Sequence, residues 1–272
     1  MTADRTLVLW AALALAGFAS AAGAETSVKA ASAPNSVKDI SKCMSDNLVK
    51  RGALRDLALG VYDREGKVRD LRMRLYWKPS KTGGSRVLLR IVQPAVMLGS
   101  SYLLLQEGMN EQVYFYLPGA DRALRITGQN MSEPLWGTDF SYGEIKQVLG
   151  LLVTGETRRL EDAVVASRPV YALETQTSVD ETGYRKVLNY VDKASCVLLK
   201  SEFIASGNKP RKVLQGDIAT LLQADRYWTL LGYRMSDVGR GTYTTLELTD
   251  LSIDERLSEK LFSPKEFFAQ NP

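Results

Sequence analysis

The feature that most constrains this chain is an apolar–polar alternation of period two, which begins near residue 53 and recurs almost to residue 251. Leu71, Met73, Leu75 and Trp77 alternate with Asp70, Arg72, Arg74 and Tyr76. Val87, Leu89 and Ile91 alternate with Arg86 and Arg90, and Val113, Phe115 and Leu117 alternate with Gln112, Tyr114 and Tyr116. Successive side chains on a strand point to opposite faces, so each run predicts a strand with one apolar face. Turn residues bound the runs at 63–66, Gly83-Gly84, Gly108 and Pro118-Gly119. The pattern resumes at 170–177, 185–191, 197–205, 211–215, 227–236 and 242–251. Short runs joined by tight turns predict an antiparallel meander with one face on a core.

Two segments depart from that period. At 36–51, Val37, Ile40, Met44 and Leu48 form one stripe, Ser36 and Asp39 make a capping box, and Gly52 closes a predicted helix. At 141–152, Ser141 and Glu144 suggest a second capping box, with Ile145, Val148, Leu149 and Leu152 at helical spacing. A last short turn is expected at 257–262. No repeat or linker divides the chain. The simplest fold is mainly β (α+β): one antiparallel sheet of about ten strands curled over two or three helices. Its inner apolar face is either filled by side chains or covered loosely by helices around a ligand space.

The first residues predict the compartment. Arg5 supplies a positive charge, residues 7–18 form a short apolar run, and Ala22-Gly23-Ala24 gives small–x–small cleavage spacing. We therefore expect a signal peptide over 1–24, a frayed tail over 25–35 and one domain over 36–272. No cysteine stands at the cut to take a lipid, and no later run is long enough for a permanent membrane anchor. The expected location is the periplasm.

Composition narrows the chemistry. The 272 residues include no histidine, which removes Ser-His-Asp and Cys-His catalysis and the commonest zinc ligand. Glu144, Glu174 and Asp139 are the best candidate catalytic groups, but no spacing singles out a pair, and no cofactor or metal motif is present. An enzyme is not expected. The net charge of +4 is spread among acids, with no basic block for nucleic acid. At most it supports a weak attraction to anionic membrane surfaces. The two cysteines, Cys43 and Cys196, are either a disulfide, favoured in an oxidising compartment, or two buried thiols.

On the alternation, Leu71, Met73, Leu75, Trp77, Leu89, Ile91 and Phe115 form the inner face, which periodicity alone reads as a solid core and which would wall any ligand cavity, with Ile145, Val148 and Leu149 as its lid. The stretch 94–99, containing Met97 and Leu98, is apolar and loop-like, and Trp136 lies in a glycine-hinged turn. These three residues are candidates for a partner or entrance loop. Arg122 and Arg125 read equally as headgroup contacts or solvent-facing charges.

The runs 99–105 (GSSYLLL), 113–118 (VYFYLP), 122–126 (RALRI) and 137–142 (GTDFSY) resemble, in order and spacing, the LolA-like family of outer-membrane lipoprotein-sorting proteins. The likeness covers about 99–153 closely and the flanks loosely, and it is to the broad family, not the classical lipoprotein chaperone. It implies an incomplete antiparallel barrel closed by helices around an apolar cavity. It also implies a soluble periplasmic carrier of lipid or lipoprotein acyl chains, with an inner-membrane transporter of the resistance-nodulation type as partner; a monomer is expected. The alternative is a solid-cored, non-transporting accessory domain of such a transporter.

Overall fold

The computed structural model describes residues 35–269, apart from Met109, Asp121, Asp250 and Glu255. The expected signal peptide and all but the last residue of the expected tail lie outside the described residues. Helix α1 (Val37–Asp46) starts where the sequence places it. Ser36 Oγ accepts from Asp39 N–H at 3.1 Å, while the Asp39 carboxylate accepts from Ser36 N–H at 3.2 Å. It stops short of the predicted residue 51 because Asn47 caps it and turns its side chain to other elements: Asn47 Nδ2 donates to Ser195 O at 3.0 Å.

The strands are β1 (Ala53–Tyr62), β2 (Lys67–Pro79), β3 (Ser85–Gln93), β4 (Ser101–Glu107), β5 (Asn110–Leu117) and β6 (Arg122–Ile126). After a long connection come β7 (Glu156–Arg159), β8 (Ala163–Val165), β9 (Arg168–Gln176), β10 (Lys186–Asp192), β11 (Leu198–Ile204) and β12 (Lys212–Gly216). The last are β13 (Leu221–Ala224), β14 (Tyr227–Leu230), β15 (Gly232–Asp237), β16 (Thr242–Leu248) and β17 (Ser252–Ile253). Fifteen of them make one antiparallel sheet, larger than the ten or so expected, in the order β6-β5-β4-β3-β2-β1-β16-β15-β12-β11-β10-β9-β7. Strands β17 and β8 add on to β1 and β9. The sheet is open, with β6 and β7 at its ends, and β1 joins its two meanders through β16 (Leu57 opposite Leu248). The run predicted as one strand at 227–236 divides at Leu231. Strand β14 leaves the main sheet to form a separate hairpin with β13, and β15 stays in it.

Two cores flank the sheet. The inner one gathers Ile40 and Met44 of α1, the inner faces of both meanders and the connection 127–155, which contributes Leu135, Trp136, Phe140, Ile145, Val148 and Leu151. The outer one is made by the C-terminal segment: Leu257, Leu261, Phe262 and Phe267 cover Leu88 and Leu103. That second core explains why β3 and β4 are apolar on both faces, since a strand buried on both sides needs a continuous run rather than an alternation.

The helix predicted over 141–152 is instead a 3-10 turn, Ile145–Leu149, closed by Gly150 at φ 77°. Lys146 and Gln147 are buried with their apolar neighbours, so this stretch lacks the solvated face of an amphipathic helix. Ser141 and Glu144 form half of the expected capping box, with Ser141 N–H donating to the Glu144 carboxylate at 2.7 Å.

Candidate functional site

An apolar cavity of about 110 Å³ lies where α1, β2, β11, the 3-10 turn and the β13–β14 hairpin meet. Met44, Leu75, Trp77, Val148, Leu149 and Leu198 supply its inner walls. Tyr227 and Trp228 close it from the hairpin side, and Arg55 reaches its lining, donating to Thr229 Oγ1 at 3.3 Å. The wall formed by α1 and the residues just after it is tied down by a disulfide and by hydrogen bonds. Cys43 and Cys196 form a disulfide with Cα atoms 5.8 Å apart, so the disulfide alternative is the one realised. Trp77 Nε1 donates to Val49 O at 2.9 Å, and Asn47 Oδ1 accepts from Trp228 N–H at 2.6 Å.

All seven predicted cavity residues sit on the inner face, but they divide. Leu75 and Trp77 line the cavity, whereas Leu71, Met73, Leu89, Ile91 and Phe115 are packed in the inner core away from its lining. Phe115 is in ring contact with Trp136 at 6.0 Å and Tyr142 at 5.0 Å. Of the lid residues, Val148 and Leu149 line the cavity, and Ile145 is buried in the core. Met97 is half-buried and Leu98 is 52 % exposed. Trp136 is not at an entrance: it is 6 % exposed, and Arg69 donates to its carbonyl. The sequence reading missed the β13–β14 hairpin, although the Ala-Asp-Arg turn at 224–226 marked it.

The connection 127–155 is anchored by buried polar groups. Lys212 Nζ on β12 donates to Asp139 O at 2.8 Å and to the Glu144 carboxylate at 3.0 Å. Tyr184 Oη also donates to Glu144, and the Asp139 carboxylate accepts from Thr242 and, at 2.8 Å, from Thr244 of β16. Burial, then the Glu144 charge, pushes the Tyr184 hydroxyl well above its ordinary pKa, which keeps it a donor. Asp139 and Glu144 are thus structural anchors. Glu174, the third candidate acid, is paired with Lys186 at 2.9 Å and Arg158 at 2.7 Å. Arg122 and Arg125 face solvent. Among the described residues, no group of three His, Cys, Asp or Glu could hold a metal.

The turn that carries Cys196 depends on Asp192, which accepts from Arg168 Nε and Nη2 at 2.7 and 2.8 Å and from Ser195 N–H at 2.8 Å. Burial raises the Asp192 pKa, but Arg168 and Ser195 outweigh it and hold the carboxyl below the usual range. The Lys186 hydrogen bond, opposed by burial and helped by Arg158, does the same for Glu174. A lowered folded pKa contributes stability that is present above the unfolded value of about 4 and lost as pH falls through the folded value. Urea midpoints should therefore fall below about pH 4. Asp192→Asn should start from a lower midpoint and show a shallower acid slope; an unchanged slope would remove Asp192 from this account.

A family described as uncharacterized protein matches this chain over residues 83–267. A comparison with curated proteins finds no match. Among solved structures, the chain is similar to a domain designated an outer membrane lipoprotein-sorting protein from Vibrio parahaemolyticus. The identity is 23 %, covering 85 % of this chain and 97 % of that one, with a TM-score of 0.73. It is also similar to a DUF1329 family protein from Desulfovibrio piger (19 % identity, 83 % and 95 % covered, TM-score 0.72). A LolA superfamily protein from Nitrosomonas europaea shares the fold as well (16 % identity, 84 % and 98 % covered, TM-score 0.65). The chain belongs to that uncharacterized protein family, and its fold is that of the LolA-like structures.

Proposed function

We propose that this protein is a periplasmic carrier, exported by a cleaved signal peptide over 1–24, whose domain over 36–272 takes up lipid or lipoprotein acyl chains and moves them toward the outer membrane. The observation that carries this reading is the apolar cavity between α1 and the β13–β14 hairpin. The LolA-like fold supports it. Each buried methylene contributes roughly 0.8 kcal/mol, so the chain rather than the headgroup supplies most of the affinity.

At about 110 Å³ the cavity is smaller than the roughly 300–1,000 Å³ of sites that enclose a drug-sized ligand. Uptake of a long chain therefore requires a wall to move. The 3-10 turn with Val148 and Leu149 follows directly on the buried Glu144–Lys212 anchor. The β13–β14 hairpin is a two-stranded sheet outside the main one, and such hairpins are marginal on their own. In this proposal the hairpin opens and the connection 127–155 stays.

Titration with a fluorescent long-chain fatty acid tests the reading. Leu149→Trp, which fills the cavity, should weaken binding about tenfold or more, the loss of some two methylenes' worth of burial, with the melting temperature little changed. Equal binding by variant and parent would place the ligand elsewhere. Failure of the parent to bind would favour the solid-cored accessory of an envelope transporter.

A further inference from the structure

Two connections lie side by side at one end of the first meander: residues 94–99 between β3 and β4, and 117–120 at the β5–β6 turn. A Cβ added to Gly99 would come 3.7 Å from Pro118 Cγ. Neither segment, PAVMLG or LPGA, carries a charge. Around them Val96 is 91 % exposed, and Val92, Leu98 and Leu117 are exposed too. Leu124, also exposed, is the diagonal neighbour of Leu117 across β5 and β6. Exposed apolar side chains gathered in one place mark a surface that meets something other than water.

Two further observations say what that is. First, the backbone amides of residues 97–100 are paired within the loop and with β3. Met97 N–H donates to Pro94 O at 3.0 Å, Leu98 N–H to Ala95 O at 3.2 Å, Gly99 N–H to Ile91 O at 3.0 Å and Ser100 N–H to Met97 O at 3.0 Å. A loop closed on itself in this way can leave water without stranding these donors, as an apolar medium requires. Second, basic side chains stand beside both loops, with the acids Asp70 and Asp121 near them in sequence. Exposed Arg72 stands opposite Gln93 and shares a groove with Val92, Pro94, Ala95 and Leu98. Exposed Arg122 stands opposite Leu117. The acid in that groove, Asp70, is paired with Lys67 at 2.6 Å.

We propose that these two loops are a membrane-docking tip: Val96, Leu98 and Leu117 enter the headgroup layer of an anionic bilayer, while Arg72 and Arg122 meet its phosphates. This goes beyond the carrier reading and does not use the cavity, since none of these side chains lines it.

The test is co-sedimentation of the purified protein with vesicles of equal parts phosphatidylglycerol and phosphatidylethanolamine, and with phosphatidylcholine vesicles. The parent should prefer the anionic vesicles. Val96→Asp/Leu98→Asp should lower its partition at least about tenfold, since two inserted side chains are replaced by repelled carboxylates. Arg72→Gln/Arg122→Gln should lower it several-fold on anionic vesicles only. Fatty-acid uptake by these variants should match the parent, which shows that they fold and keeps the two proposals separate. Partition of the Val96→Asp/Leu98→Asp variant within about twofold of the parent, or no partition by the parent, overturns the docking tip whatever uptake shows. Partition that follows this pattern in a protein that takes up no fatty acid upholds the tip and removes the carrier.

Discussion

Replacing Cys43 and Cys196 together by alanine should lower the thermal midpoint by roughly 5–20 °C. The bond joins residues 153 apart in sequence. Closing a loop of that length restricts the unfolded chain by about 5 kcal/mol in the chain-entropy account, and removing native disulfides costs roughly 2–5 kcal/mol in practice. For a domain of this size each kcal/mol shifts the midpoint by about 2–4 °C. The effect should extend to function, because α1 is the cavity wall that the bond ties to the β10–β11 turn. Fatty-acid release should therefore be faster in the double variant than in the parent. Thermal unfolding followed by circular dichroism without reductant, with stopped-flow release alongside, checks both. A midpoint within about 2 °C of the parent would mean that Asn47 and Trp77 hold α1 without the bond.

The second large effect is expected at Lys212. Its ammonium is buried against the Glu144 carboxylate and the Asp139 carbonyl. Lys212→Met leaves a buried carboxylate facing only the Tyr184 hydroxyl and the Ser141 amide. Breaking one side of a buried pair typically costs about 3–5 kcal/mol, and most of that is the stranded partner. Lys212→Met/Glu144→Gln should therefore be more stable than Lys212→Met alone, although it carries one more change. Denaturant unfolding of both variants and of Glu144→Gln gives the full cycle. Additive losses would show that the two groups do not act as one anchor.

Much of the fold was legible because one-sided strands declare themselves. Leu71, Met73, Leu75 and Trp77 alternate cleanly, and all four are buried on the inner face. The helix start was equally plain, since Ser36 and Asp39, three residues apart, pair with each other's backbone and side chain. The outer core was hidden because it is a long-range event. Leu88 and Leu103 are covered by residues 257–267, and the local trace is the apolar triplets Val87-Leu88-Leu89 in β3 and Leu103-Leu104-Leu105 in β4.

The turn at 145–149 misled for a physical reason. Apolar residues at Ile145, Val148 and Leu149 fit a helix and a buried 3-10 turn equally well, and the difference lies in the burial of Lys146 and Gln147. Lys146 is tolerated there because it reaches Glu111 on β5, a partner that no local spacing announces. The cavity was half legible for the same reason. Its β2 wall follows from alternation, but its outer wall is a hairpin that departs from the sheet in the middle of an apparently continuous run. Trp136 was misplaced because its left-handed backbone, φ 51°, turns the chain into the core, and no local rule predicts that conformation for tryptophan.

The central claim is that an acyl chain occupies the cavity between α1 and the β13–β14 hairpin. Its most direct test is native mass spectrometry of the protein purified from its own cells without detergent, followed by organic extraction. The account predicts a population carrying an added mass that extraction identifies as a lipid or a lipidated peptide, reduced in the Leu149→Trp variant. A single mass equal to the bare polypeptide, in a protein that also takes up no fatty acid, would contradict it.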